Sequence, residues 1–244
     1  MAEHSNFRHR RRISVRLLLI VFGIVSPVFV SAETIAVIGT GDVAKALGPE
    51  FAALGHQIVY GSRDPSQAKV IELIAQTGAG ASVAKPAEAV VGADIVVLAV
   101  PGMVVETVTL GLGDLSGKII IDPTNPLVRG EDGLFAHGVE TSNAEIIQAA
   151  APDAFVVKAF NALNWQTMID PDLAGGPVSI PLVGDSEAAK ATVAELVTGM
   201  GLEPIDLGPL RHAQYVEGML ILWINNRYAG GEAFDYYLRK VPAD

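Results

Sequence analysis

Residues 34–65 read TIAVIGTGDVAKALGPEFAALGHQIVYGSRDP, and the fold follows from them. Ile35-Ala36-Val37-Ile38 is an apolar run of the kind buried on both faces of a parallel sheet. Gly39-Thr40-Gly41-Asp42-Val43-Ala44 follows at once in the pattern G-x-G-x-x-A. Gly39 suits a tight turn, Gly41 lets a pyrophosphate approach the backbone, and Ala44 allows close helix packing. Asp42 and Val43 stand where the helix begins, and Gly55 ends it after Leu54. The unpaired N–H groups and positive dipole end of such a helix attract an anion without any basic side chain.

A second strand, Gln57 to Tyr60, ends about 20 residues beyond the glycines, where an acidic residue would bind the ribose 2′-hydroxyl of NAD. Gly61-Ser62-Arg63 stands there instead. A hydroxyl and a guanidinium suit a 2′-phosphate that a carboxylate would repel, so NADP is favoured over NAD. Asp64 is expected to cap the next helix, with Pro65 at its first position.

At 244 residues, with 50% hydrophobic and 18% charged, the chain has room for one large α/β domain with a small appendage. The formal net charge is −10. So acidic a surface disfavours nucleic acid as a partner. Without cysteine, disulfides, thiolate metal sites and cysteine catalysis are excluded, and no metal site is expected. Residues 1–32 have the order of an export signal: basic Arg8 to Arg12, the apolar run Leu17 to Val30, then Val30-Ser31-Ala32. An exported, periplasmic or secreted protein is expected, with an N-terminal membrane anchor as the alternative. The paired arginines resemble those of a twin-arginine signal.

Helices are expected over Ser66 to Gln76, Pro86 to Val91, Ser142 to Ala151 and Ala188 to Met200, and strands over Ala81 to Val83, Asp94 to Pro101, Lys118 to Asp122 and Ala154 to Phe160. The result is an α/β doubly wound parallel sheet in which the fourth strand lies beside the first. Val100 and Pro101 then face the cofactor, and Asn125, between Pro123-Thr124 and Pro126, either bonds its ribose or carboxamide or completes a turn. Lys69 is a second 2′-phosphate ligand or a solvated lysine. Val128 to Gly138 reads as a loop with His137 exposed, and His56 as structural. Ser179 to Val183, interrupted by Pro181, belongs near an edge. Helices over Arg211 to Tyr228 and Gly231 to Lys240 leave apolar surface that suggests a homodimer. The expected divisions are the signal at 1–32, a nucleotide domain at 33–150 and a smaller C-terminal part at 151–244 that completes the acceptor site.

The order G-T-G-D-V-A, G-S-R-D-P, A-V-P, D-P-T-N-P, V-K-A-F-N, V-G-D and G-P-L-R-x-A resembles the NADPH-dependent oxidoreductases of coenzyme F420, an 8-hydroxy-5-deazaflavin. A related domain serves metalloreductases. The resemblance implies a Rossmann sheet with a small C-terminal helical extension, Thr40 and Gly41 on the pyrophosphate, Ser62 and Arg63 on the 2′-phosphate, and Val100, Pro101 and Ala159 beside the nicotinamide. It places Phe160, Asn161, Leu210 and Arg211 near a deazaflavin or flavin co-substrate, a small-molecule redox acceptor. Hydride transfer between stacked rings needs orientation more than acid or base, so no catalytic residue is assigned. Two other readings are a flavin or ferric reductase using NADPH and a nonenzymatic NADP-binding redox sensor.

Overall fold

The computed structural model describes residues 32–232 and 234–241; the expected export signal, but for its last residue, Ala32, lies outside them. Strand β1 (Thr34–Ile38) leads through α1 (Asp42–Ala53) to β2 (Gln57–Gly61), then α2 (Ala68–Thr77), β3 (Ala81–Ala84), α3 (Pro86–Ala89) and β4 (Ile95–Leu98). A 3₁₀ turn and α4 (Val105–Leu110) precede β5 (Ile119–Asp122), followed by the short strands β6 (Leu127–Arg129) and β7 (Phe135–His137), α5 (Asn143–Ala150) and β8 (Phe155–Lys158). After α6 (Trp165–Ile169) come β9 (Ser179–Leu182), α7 (Glu187–Gly199), β10 (Glu203–Asp206) and α8 (Ala213–Ala229).

Six strands pair in the order β3-β2-β1-β4-β5-β8, all parallel. Ile35 is in register with both Ile58 and Ile95, so β4 lies beside β1 and the strand order reverses between them. Alternate residues feed two apolar layers: Ile35, Val37, Ile95 and Val97 face α1 and α7, while Ala36, Ile38, Val96 and Leu98 pack with Val105 and Ile147. This two-sided burial explains why the strands read as unbroken apolar runs. Strand β8 is the sixth strand of this sheet, and the described residues form one compact unit.

The expectation for Pro181 is met: β9 pairs in parallel with β10 alone and touches the main sheet through a single antiparallel bridge between Lys158 and Val183. Three expectations are not. Asp64 does not cap α2, which starts at Ala68 with Gln67 as its cap; its carboxylate closes a turn onto the Ser66 N–H and hydroxyl at 3.1 and 2.6 Å. The second C-terminal helix is absent, since residues 234–241 run without helix. They are tied down instead by Tyr236 Oη to the Met219 carbonyl, Leu238 N–H to Ser179 Oγ, and Trp223 Nε1 to Asp235 Oδ1. Finally, Val128 to Gly138 is no open loop. Gly133, at φ 81°, turns β6 back as β7, and Asn225 on α8 clamps the hairpin through both the N–H and the carbonyl of Phe135.

Candidate functional site

A cavity of about 510 Å³ opens at the carboxyl ends of β1, β2 and β4, where strand order reverses. Gly39, Thr40 and Gly41 form one wall, Ser62, Arg63 and Lys69 another, and Val100 and Pro101 a third. Gly39 is at φ 119°, and a side chain there would run into the Ala99 carbonyl oxygen. Gly41 has open space where a Cβ would stand. It also starts α1 without any side-chain cap, and the first helical N–H to find a carbonyl is that of Lys45, at 2.9 Å from Gly41 O. The N–H groups of Asp42, Val43 and Ala44 therefore remain available to an anion in the cavity. Asp42 and Val43 contribute this backbone and do not line the cavity with their side chains.

Ser62 is buried, and its hydroxyl bridges the Asp64 carbonyl and N–H at 3.0 and 3.3 Å, which holds Arg63 at the rim. Arg63 is exposed and joins no salt bridge among the described residues. The neighbouring Asp64 carboxyl is held below its usual range by hydrogen bonds from the Ser66 hydroxyl and N–H, so it stays an anion turned into its own loop. Lys69 lines the same cavity from the first turn of α2, so the rim carries two cations.

Three strand-end loops meet beside this cavity. Asn125, after β5, donates from Nδ2 to the Asn161 carbonyl at 3.1 Å, and Asn161, after β8, returns a bond from Nδ2 to Asn125 Oδ1 at 2.9 Å. A Cβ on Gly102, after β4, would strike the Asn125 carbonyl. The expected juxtaposition of Val100–Pro101, Asn125 and Asn161 is thus present. The side chains of Ala159 and Phe160 are not part of an open ring-binding wall, however. Both are buried in the core, with the Phe160 ring edge-on to Phe51 at 6.1 Å. Phe160 is the one non-glycine residue at positive φ among those described, 63°.

Leu210 and Arg211 also depart from expectation. They line a second cavity with Gln148, Pro152 and Asp185, and it shares no lining residue with the first. His137 is half-buried rather than exposed: its Nε2 meets Glu217 Oε2 at 2.7 Å. Lys158 and Glu217, fully buried and only 2.6 Å apart, were not singled out by sequence reasoning. Their signal was a charge within an apolar strand and another on the buried stripe of a helix.

The arrangement gathers unpaired helix N–H groups and two cations around one cavity, the features that a phosphorylated dinucleotide needs. Comparisons with known proteins agree. The family model for coenzyme F420-dependent NADP oxidoreductases matches residues 34–126. A solved structure described as a candidate F420-dependent NADP reductase from Arthrobacter sp. FB24 is 31% identical, covers 86% of this chain and 100% of that one, and superposes with a TM-score of 0.77. The F420-dependent NADP reductase of Methanothermobacter marburgensis is 29% identical over 202 residues, 77% of this chain and 88% of that protein. The metalloreductase STEAP3 of Rattus norvegicus is 32% identical over 190 residues, 77% of this chain. This chain spans only 36% of the length of that metalloreductase.

Proposed function

The chain belongs to the family of coenzyme F420-dependent NADP oxidoreductases, and on that premise we propose that it moves hydride between NADPH and a flat deazaflavin or flavin ring. The observation that carries the proposal is the cavity in which an uncapped helix N-terminus and the Ser62–Arg63 pair stand together with Val100 and Pro101, beside the loop whose Gly102 packs against Asn125. Thr40, Gly41 and the first turn of α1 would hold the pyrophosphate, Arg63 and Lys69 the 2′-phosphate, and Val100 and Pro101 would flank the nicotinamide. Bound there, the dihydronicotinamide supplies the hydride. The protein supplies orientation: rigid prolines at residues 101 and 123, and an amide pair that fixes one strand-end loop on the next.

A second reading, reduction of a flavin that passes electrons to ferric ion, is favoured by the metalloreductase match. Steady-state NADPH oxidation against deazaflavin, FMN, FAD and ferric chelates separates the two. With NADPH deuterated at C4, direct transfer places the label on the reduced deazaflavin; label found only in solvent would overturn the proposal. Turnover with no acceptor, despite tight NADP binding, would favour the redox sensor. The proposal also includes export directed by residues 1–32, tested by whether the mass of the protein from its own cells begins at Glu33.

A further inference from the structure

Under the loops bearing Asn125 and Asn161 lie four ionisable side chains for which nucleotide binding has no use. Lys158, at the end of β8, donates from Nζ to Asp122 Oδ2 at 2.8 Å, to Glu217 Oε1 at 2.6 Å and to the Thr124 carbonyl. All three ammonium protons are spent. Glu217 Oε1 also accepts from the Asn143 N–H at 2.9 Å, and its Oε2 meets His137 Nε2 at 2.7 Å. The other ring nitrogen, Nδ1, lies 2.8 Å from the Val139 carbonyl. A carbonyl only accepts, so Nδ1 carries a proton, and the Nε2–Oε2 contact must hold a second one, on the ring or on the carboxyl. Either way the cluster as a whole is neutral.

Buried charges are an expensive way to hold a core together. Desolvation costs several kcal/mol per ion, and apolar side chains of similar volume often serve stability as well or better. What the cluster touches explains it better. Lys158 and Asp122 together fix Thr124, through its carbonyl, N–H and hydroxyl, one residue before Asn125. Asn143, bonded to Glu217 through its N–H, reaches with Nδ2 to the Gly102 carbonyl at 3.1 Å and to Thr124 Oγ1 at 2.8 Å. Val216, next to Glu217, accepts at its carbonyl from Asn161 Nδ2 at 3.2 Å. Because that amide nitrogen is committed to two acceptors, Asn161 Oδ1 is left buried without a partner among the described residues. One carboxylate on α8 thus reaches the loops after β4 and β5 through Asn143 and Lys158, the Val216 carbonyl beside it holds Asn161 after β8, and Lys158 stands two residues before the strained Phe160.

We propose that Glu217 is a positioning residue: acting through Lys158, Asn143 and His137, and without touching a ligand, it sets the placement of the Asn125 and Asn161 loops on which the bound rings depend. This rests on the hydride-transfer reading for its kinetic consequence only. Glu217→Leu is expected to lower kcat about tenfold or more while the dissociation constant for NADP+ stays within about twofold, since ring alignment rather than nucleotide grip is lost. Glu217→Gln retains an acceptor for Lys158 and Asn143 and is expected to restore most of kcat. Independently of turnover, amide hydrogen exchange in Glu217→Leu should rise over residues 123–127 and 160–163 and stay unchanged over residues 39–44. If Glu217→Leu does not fold, the charge-free combination of Asp122→Asn, Lys158→Met and Glu217→Leu, which leaves no buried ion unpaired, takes its place with the same expected exchange. Unchanged exchange at those loops, or NADP+ affinity falling in parallel with kcat, overturns the proposal. A wild-type protein that turns over no acceptor overturns the proposed function instead and leaves the exchange result standing.

Discussion

Arg63 stands exposed at the cavity rim, with the neighbouring carboxylate, Asp64, committed to Ser66. A guanidinium so placed distinguishes NADPH from NADH only through the 2′-phosphate. Arg63→Ala should therefore weaken NADPH binding by about 1.5–3 kcal/mol, the range of a charged hydrogen bond, and leave NADH nearly unchanged in calorimetry. His56 makes a different kind of prediction. It is buried, its Nδ1 accepts from the Glu33 N–H at 3.2 Å, and desolvation pushes its pKa below the ordinary imidazole value. As pH falls below that ordinary value the unfolded chain takes up a proton that the folded chain refuses, so stability declines on the acid side and not above it. His56→Gln should flatten that decline in urea unfolding at a series of pH values, with neutral-pH turnover unaltered. That Gly39, Gly41, Ser62 and Arg63 come together around one cavity was legible because they lie within one short strand-helix-strand segment. Lys158, Glu217 and His137 were not, because they meet across 59 and 80 residues and no local pattern records the meeting. His137→Ala is accordingly not expected to be silent, since it removes the partner of Glu217 Oε2.

Among the elements, the sheet was the most readable, since strands buried on both faces announce themselves as apolar runs. The β6–β7 hairpin was missed although Asp132-Gly133 is a hairpin turn signal; its strands are three residues long and their pairing depends on Asn225, 90 residues away. The end of β8 shows the same limit. Were Ala159 beside the nicotinamide, a bulky residue there would alter ring spacing, but with the side chain fully enclosed it is first an overpacking of the core. Ala159→Leu should cost about 1–3 kcal/mol of stability, seen as a lowered thermal midpoint whether or not NADP is present. An unchanged midpoint would mean that the core around Phe160 yields more readily than its packing indicates.

Over the whole molecule, the acidic balance and the apolar flank of α8 pull in opposite directions: one keeps copies apart, the other invites contact. Tyr215 and Leu222, seven residues apart on one helix face, are 67% and 60% exposed. A homodimer through this face is the proposed assembly, and Leu222→Glu should shift the mass seen by light scattering to that of a monomer. Behind that face, the tail over residues 234–241 is fastened at three separate points, one of them the indole of Trp223. Only two tryptophans occur in the sequence, so Trp165→Phe leaves Trp223 as the sole tryptophan, read selectively by excitation at the red edge of its absorption. Its emission would then act as a gauge of the chain's own fastening: blue while the strap is closed over the ring, red once Asp235 lets go.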